Sequence, residues 1–184
     1  MQPFRALRAG PIRRSARVPT IQPDGSFVAM TIHVLGAGVA GLTTAARLVE
    51  QGENVVVHEA ATQLGGNAAS WLAGGMLAPF CEAATADPSI IQPGLDGIEF
   101  WQGQTSVFRN GTLVVASARD AADLRLFASR TRRHETLDAE GVNALEPDLG
   151  GRFRQALFFR EEAHLDPRRT LDDLARWIER RGGT

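Results

Sequence analysis

The sequence predicts a mixed α/β fold that opens with a strand, a helix and a second strand. Residues 31–35 (TIHVL) are β-branched or apolar and end at a glycine, which is typical of a buried strand. Residues 39–51 then place apolar side chains at helical spacing. Between them, Gly36, Gly38 and Gly41 have the spacing G-x-G-x-x-G. This order of elements and glycines predicts a Rossmann-like dinucleotide-binding unit.

Each glycine has an expected role, and an acidic residue completes the pattern. Gly36 allows a tight turn, Gly38 lets the backbone approach a pyrophosphate, and Gly41 lets the helix pack closely on the strand. The second strand, residues 54–58, is followed by Glu59, whose carboxylate can accept hydrogen bonds from both hydroxyls of an adenosine ribose. The free N–H groups and the dipole of the helix N-terminus favour phosphate oxygens without any lysine or arginine.

The composition is that of a globular chain of 184 residues, of which 43% are hydrophobic and 22% charged. Residues 1–30 carry a net charge of +4, which leaves −5 for the remainder, so nothing indicates a nucleic-acid surface. The one cysteine, Cys81, cannot form an intrachain disulfide, and this favours a reducing compartment, the cytoplasm. No apolar run approaches the roughly 18 residues that a membrane span requires. We therefore expect neither a nucleic-acid nor a membrane partner.

Residues 1–30 are predicted to be a disordered extension. They are rich in arginine and poor in acids, as a transit peptide is, but four prolines discourage a sustained amphipathic helix. Met30 stands directly before the first strand, so a start of translation at Met30 is the alternative.

The rest of the chain alternates helical and strand-like segments. Asn110 and Gly111 lie between two strand-like runs and suit a type I′ turn, which predicts a hairpin. Asp166 and Pro167 are predicted as the N-cap and first residue of the last helix, and no strand is predicted after that helix. The expected elements are a helix over 87–102 interrupted at Pro93 and Gly94, strands over 106–108 and 112–116, helices over 118–133 and 138–145, a sheltered strand over 155–159, and a helix over 167–181.

A loop of small residues, 60–83, follows Glu59 and lets the backbone approach a bulky ligand, although tight helix packing would need the same residues. Here the sequence resembles the flavin-dependent amine oxidases of the D-amino-acid oxidase class, most closely the glycine oxidases of thiamine biosynthesis. The motifs that carry the resemblance are GAGVAGL at 36–42, Glu59, ASWLAGGMLAP at 69–79, FRNGTLVVA at 108–116, LEPDL at 145–149 and HLDPR at 164–168.

The resemblance implies FAD as cofactor and a set of residues that contact it. The pyrophosphate is expected at Gly36, Gly38, Val39, Ala40 and Gly41; the ribose at Glu59 beside Ala60; and the ribityl and ring portions at Ala69, Ser70, Gly74, Gly75 and Met76. It also implies a Rossmann-like FAD-binding domain over 31–104, the start of an α+β substrate domain over 105–160, and a return helix of the FAD-binding domain over 161–184. This arrangement is incomplete at the C-terminus relative to the family.

The implied reaction is oxidation of glycine or a similar small amine, in which the substrate Cα gives a hydride to FAD. The imine is hydrolysed to an α-keto acid and ammonia, and dioxygen is reduced to hydrogen peroxide. This chemistry belongs mainly to the cofactor, so no catalytic side chain and no metal site are predicted. Two alternatives stay open: a catalytically incompetent FAD-binding fragment that needs the missing C-terminal half or a complementing chain, and a related flavin D-amino-acid dehydrogenase.

Overall fold

The computed structural model describes residues 20–21, 27–28 and 30–184. In these residues the strands are β1 (Thr20–Ile21), β2 (Phe27–Val28), β3 (Thr31–Leu35), β4 (Asn54–His58), β5 (Met76–Leu77), β6 (Val107–Phe108), β7 (Thr112–Val115), β8 (Glu135–Asp138), β9 (Gln155–Phe159) and β10 (Ala163–Leu165). The α-helices are α1 (Val39–Glu50), α2 (Pro79–Glu82), α3 (Ile91–Gln102), α4 (Ala121–Arg130), α5 (Ala139–Leu145) and α6 (Pro167–Glu179). Short 3₁₀ helices cover Ala69–Leu72, Pro88–Ile90, Ala118–Asp120 and Pro147–Leu149.

The strands form four small sheets. Strands β1 and β2 are antiparallel, whereas β3 and β4 are parallel and joined by α1. The other two sheets are antiparallel, with strand orders β5-β10-β6 and β7-β9-β8. The predicted strand–helix–strand unit is therefore confirmed, and the segment after β4 builds two further sheets around it.

Helix α6 packs against α1 and forms the larger apolar core with it. The four α1 residues expected to face the sheet, Leu42, Ala45, Ala46 and Val49, are all buried. From α6 the core receives Leu171, Leu174, Trp177 and Ile178, as its sequence spacing predicts. The Asp166 carboxylate caps this helix by accepting the N–H groups of Arg168 and Arg169 at 2.9 and 3.2 Å. Helix α1 therefore covers one face of the β3–β4 pair, and α6 packs on α1.

The opposite face of this pair is more open than a buried strand would be. Leu35, at the end of β3, is 82% exposed, and His33 and His58 are hydrogen-bonded to each other on the exposed side at 2.7 Å. The prediction of a buried β3 is therefore wrong, because no residue of this strand is buried: among the described residues α1 covers only one face of the pair, and that face is half-buried.

A second core lies between the β7-β9-β8 sheet and helices α2 and α4. Phe80, Leu124, Leu157 and Phe159 are buried there, with Phe127 packed against them. The central strand β9 is buried from Ala156 to Phe159, which confirms the sheltered strand expected from its continuous apolar run. Strand β9, which contributes Leu157 and Phe159 to this core, is followed in the chain by β10 and α6.

The predicted hairpin across Asn110 and Gly111 is wrong. Strand β6 pairs with β10 and β7 pairs with β9, so the chain crosses between two sheets at this point. The Gly111 N–H donates to the Glu162 carbonyl at 3.2 Å, and its φ is +78°. A Cβ on Gly111 would lie 2.5 Å from Phe158 Cε2. The glycine is therefore needed for a close crossing over β9 rather than for a tight turn.

Two helix boundaries also differ from expectation. Helix α3 runs through Pro93 and Gly94 because Pro93 lies in its first turn, where an N–H has no acceptor within the helix. A Cβ on Gly94 would lie 2.5 Å from Pro79 Cβ, so this glycine allows α3 to pack against α2. Helix α4 begins only at Ala121, after a 3₁₀ turn, and ends at Arg130 because Thr131 is extended.

The end of the chain pairs with β4. The Thr184 N–H donates to the Val55 carbonyl at 3.0 Å, and the Thr184 carbonyl accepts the Val57 N–H at 2.6 Å. This is a parallel pairing at the edge of β4 that β3 does not use. The structure assigns no strand to the described residues after α6, and Thr184 makes these two hydrogen bonds as a single residue.

Candidate functional site

The glycine-rich loop between β3 and α1 forms one side of the candidate site. Gly36 has a φ of +97°, and its N–H donates to the His58 carbonyl at 2.7 Å, which ties the loop to the end of β4. A Cβ on Gly41 would overlap the Gly36 carbonyl oxygen. Gly36 therefore makes the tight turn and Gly41 the close helix packing that the spacing predicts.

The Glu59 carboxylate is hydrogen-bonded to this loop. Its Oε2 accepts the Ala37 N–H at 3.0 Å and its Oε1 accepts the Ala61 N–H at 2.9 Å. These backbone donors, Ala61 first and then Ala37, hold the pKa of Glu59 below its usual value because they stabilise the ionised form. Glu59 is thus on the same side of the sheet as the glycines, and it carries a negative charge at neutral pH.

Ser70 closes the other side of the loop. Its Oγ accepts the Val39 N–H, the first backbone donor of α1, at 3.1 Å. A Cβ on Gly38 would lie 3.3 Å from this Oγ and 3.1 Å from Ala68 Cβ. The absence of a side chain at Gly38 therefore lets the 3₁₀ helix Ala69–Leu72 lie directly over the α1 N-terminus; contact of Gly38 with a pyrophosphate stays a prediction.

A mainly apolar cavity of about 340 Å³ opens beside the N-terminus of α1. Gly75, with a φ of +69°, lies so close to β10 that a Cβ would overlap the Leu165 carbonyl oxygen, whereas a Cβ on Gly74 would meet no atom within 4 Å. The paired glycines thus combine one close backbone contact with one open position. The cavity lining is Val39, Ser70, Ala73, Gly74, Gly75, Met76, Leu77, Trp101, Leu165, Pro167, Thr170 and Leu171.

Five of the residues expected to contact a cofactor share this cavity: Val39, Ser70, Gly74, Gly75 and Met76. Gly36 and Gly38 belong to the adjoining loop, Gly41 lies in the first turn of α1, and Glu59 follows β4. Ala40, Ala60 and Ala69 are exposed outside the lining. The sequence reasoning missed the cavity residues of α3, β10 and α6, among them Trp101, Leu165 and Thr170. Only the helical periodicity of α3 and α6 bears on them, and it predicts burial rather than cavity lining.

Within residues 30–184, no three histidine, cysteine or acidic side chains lie close enough together to hold a metal ion. Among the helices of the described part, none is long and apolar enough to cross a membrane. The polar groups of the site are instead backbone N–H groups, the hydroxyls of Ser70 and Thr170, and the Glu59 carboxylate. Such a set can bind a nucleotide, with anionic oxygens at the helix N-terminus and ribose hydroxyls at the carboxylate.

The parallel β3–β4 pair, the glycine-rich loop and the anchored carboxylate define a protein of the α/β dinucleotide-binding class. Residues 31–184 match the family model described as FAD dependent oxidoreductase. The chain belongs to this family, whose cofactor is FAD.

Relatives of known sequence and structure agree with this assignment. The chain is 49% identical over 152 residues to a Rhizobium etli protein described as thiamine biosynthesis oxidoreductase ThiO. The matched residues cover 82% of this chain and 46% of that protein. Glycine oxidase from Bacillus cereus has the same fold, with a TM-score of 0.66 and 17% identity over 82% of this chain and 45% of that one. Glycine oxidase from Geobacillus kaustophilus also has this fold, with a TM-score of 0.67 and 19% identity. The match covers 83% of this chain and 45% of that one. The chain thus spans just under half the length of these relatives.

Proposed function

We propose that this chain binds FAD and forms the cofactor-binding part of an amine oxidase that acts on glycine or a similar small amine. The observation that carries the proposal is the Glu59 carboxylate, held against the glycine-rich loop by the Ala37 N–H at 3.0 Å. The 49% identity to a ThiO-type oxidoreductase supports the substrate class. Because the chain spans 46% of that relative, we propose that turnover also needs residues corresponding to the other half.

The residues present fit the proposed cofactor. We assign the pyrophosphate to Gly36, Gly38, Val39, Ala40 and Gly41, where α1 supplies N–H donors and a positive dipole end. We assign the ribose to Glu59 and Ala60, and the ribityl and ring portions to Ala69, Ser70, Gly74, Gly75 and Met76. The support for this assignment is space: a Cβ on Gly36 or on Gly74 would have no neighbour within 4 Å, and the cavity beside Gly74 is apolar, as a flat ring system requires.

The protein's part in the reaction is to bind, orient and exclude water. The chemistry that FAD supplies when bound is two-electron oxidation of the amine with transfer of the electrons to dioxygen, which releases hydrogen peroxide. The apolar lining of Met76, Leu77 and Trp101 would keep water from the reacting carbon. No side chain of this chain is proposed as an acid or base. We place the reaction in the cytoplasm, in keeping with the single free cysteine.

FAD binding by the 184-residue chain tests the first half of the proposal. We expect quenching of flavin fluorescence on titration, and weaker binding by Glu59→Gln, which loses the charged acceptor for ribose hydroxyls. Glu50→Gln is the matched control, because Glu50 lies on the same α1 unit and pairs only with Arg47 across the helix surface in this structure. Equal affinity of wild type and Glu59→Gln would contradict the role of Glu59.

Peroxide release tests the second half. The chain is assayed with glycine and with sarcosine, alone and together with the C-terminal half of a longer ThiO-type relative. Peroxide release with either amine, by the chain alone or with the added C-terminal half, supports an amine oxidase. Turnover with a quinone but not with dioxygen would indicate a dehydrogenase instead. Bound FAD without turnover under any condition would restrict the function to cofactor binding.

A further inference from the structure

Glu162 is a buried charged residue that the proposed cofactor contacts do not use. Its side chain is 0% exposed, and it is the one acidic or basic residue buried in the described part of the chain. It stands in the turn between β9 and β10, immediately before Ala163, the first residue of β10. A carboxylate is costly to bury unless its oxygens are hydrogen-bonded, so its partners decide what it does.

Both carboxylate oxygens bind one residue that lies 81 positions earlier in the chain. Oε1 accepts the Cys81 N–H at 2.8 Å, and Oε2 accepts the Cys81 thiol at 3.2 Å. Burial, and then the hydrogen bond to Glu162, raise the pKa of the Cys81 thiol, so the sulfur keeps the proton that it donates. The contact is therefore a two-point attachment between distant segments.

The attachment caps α2. Cys81 is the third residue of this four-residue helix, so its N–H is one of the donors that a helix leaves without an internal acceptor. Ala78, at the N-cap position, has no side chain that could accept it. Glu162 supplies from a distant segment the acceptor that a local Ser, Thr, Asp or Asn would normally supply.

The two segments joined in this way are the ones that form one wall of the cavity. Helix α2 begins two residues after β5, whose Met76 and Leu77 line the cavity, and β10 contributes Leu165. Strands β5 and β10 pair with Ala163 opposite Leu77, and the Leu165 N–H donates to the Gly75 carbonyl at 2.9 Å. Glu162 thus directly precedes the first pair of this ladder, Ala163 and Leu77, and does not itself line the cavity.

We propose that Glu162 is a positioning residue of the cofactor site, which through Cys81 and α2 fixes β5 and its Met76 and Leu77 side chains relative to β10. This inference rests on the proposed function, because it assigns the cavity to FAD. Glu162 does not touch the cavity itself and therefore acts through the backbone of α2 and β5.

The test compares Glu162→Ala and Glu162→Gln in the 184-residue chain, with Glu161→Gln as the matched control. Glu161 is the neighbouring residue, exposed and paired with Arg133 at 3.0 Å, so its loss leaves α2 untouched. The first readout is hydrogen exchange of residues 76–82 without ligand. We expect faster exchange in Glu162→Ala, a smaller change in Glu162→Gln, whose side-chain carbonyl still accepts the Cys81 N–H, and none in the control.

The second readout is FAD affinity of the folded fraction. We expect Glu162→Ala to bind about tenfold more weakly and Glu162→Gln to recover part of that loss, because a buried donor left without its acceptor is costly. Visible circular dichroism of the FAD-saturated proteins should change in the same order, which a loss of stability alone would not produce. If Glu162→Ala does not fold, Glu162→Gln measured against the control decides the question.

The outcomes separate this inference from the function on which it rests. No FAD binding by the wild-type chain overturns the proposed function and the positioning role with it. Wild-type binding with unchanged affinity and flavin spectrum in both Glu162 variants overturns the positioning role alone, even where the exchange of residues 76–82 is faster. Unchanged exchange in Glu162→Ala also overturns it, because α2 would then not depend on the carboxylate.

Discussion

Glu59 shows how one side chain joins two functions, one in the fold and one in the proposed site. Its carboxylate binds the Ala37 and Ala61 N–H groups, which fixes the loop that would receive the pyrophosphate. The same carboxylate has further lone pairs for ribose hydroxyls, since each oxygen can accept more than one hydrogen bond. The residue that orients the loop is therefore also the residue proposed to recognise the nucleotide.

The lowered pKa of Glu59 predicts a pH dependence of stability. The pKa of Glu59 is lower in the folded state than in the unfolded chain. Such a group stabilises the fold at pH values above its unfolded pKa, which is about 4.3 for glutamate. This contribution to stability is lost as the pH falls through the folded pKa. Wild type should therefore be more stable than Glu59→Gln at neutral pH, and the difference should shrink in acid. Urea unfolding from neutral pH down to about pH 3 measures this; a difference that is independent of pH would contradict it.

Gly41 is the residue whose substitution should harm the loop most. A Cβ there would overlap the carbonyl oxygen of Gly36, which is backbone and cannot rotate away. We expect Gly41→Ala to lower the free energy of unfolding by about 2–3 kcal/mol, as overpacking does. Gly97→Ala is the control: its Cβ meets nothing within 4 Å and lies in α3, so it should stabilise by up to about 1 kcal/mol. Equal effects of the two substitutions would show that space at Gly41 is not limiting.

At the scale of elements, α6 connects the two parts of the site. Its N-terminal residues Pro167, Thr170 and Leu171 line the cavity, and its later residues pack on α1. Thr170 is buried and its hydroxyl donates to the Asp166 carbonyl at 2.7 Å, so this polar group lies in the apolar wall without an unsatisfied donor. The start of α6 therefore fixes the cavity wall.

Removal of the α6 cap tests this connection. Asp166→Ala removes the acceptor of the Arg168 and Arg169 N–H groups and should lower the free energy of unfolding by about 1 kcal/mol. Asp172→Ala, at a mid-helix position of α6, is the control and should change stability by less than about 0.5 kcal/mol. Thermal unfolding monitored by circular dichroism compares them, and a larger loss from Asp172→Ala would contradict the capping role.

At the scale of the whole molecule, the site is assembled from segments far apart in the chain. The loop comes from β3 and α1, the carboxylate from the end of β4, and the cavity wall from β5, α3, β10 and α6. A ligand that contacts all of these should bind the folded state and not the unfolded chain. FAD should therefore act as a stabiliser of the entire described unit.

FAD at about one hundred times its dissociation constant should stabilise the chain by about 2.7 kcal/mol, seen as a rise in the midpoint of thermal unfolding. Riboflavin is the matched ligand control, because it lacks the pyrophosphate and adenosine that the glycine-rich loop and Glu59 would bind. It should give a much smaller rise at the same concentration. An equal rise with both ligands would mean that the nucleotide portion makes no contact.

Local chemistry made β3, α1, β4, the Asp166 cap and the buried face of α6 predictable from sequence. Glycine spacing, helical periodicity and capping all act within a few residues, so each could be read without knowing the rest of the chain. The glycine spacing also predicted the tight turn at Gly36 and the close helix packing at Gly41. The family resemblance rested on this local order as well, since its motifs are short and contiguous.

Long-range pairing could not be predicted in the same way. Asn110 and Gly111 satisfy the local rule for a hairpin, but Phe158 and Glu162, distant in sequence, hold Gly111 in a crossing between sheets. Trp101, Leu165 and Glu162 likewise have no local signal for their places in or behind the cavity wall. The sequence by itself determined the nucleotide-binding unit, and only the tertiary structure decided the cavity and the Glu162–Cys81 attachment, because both depend on which strands pair across the fold.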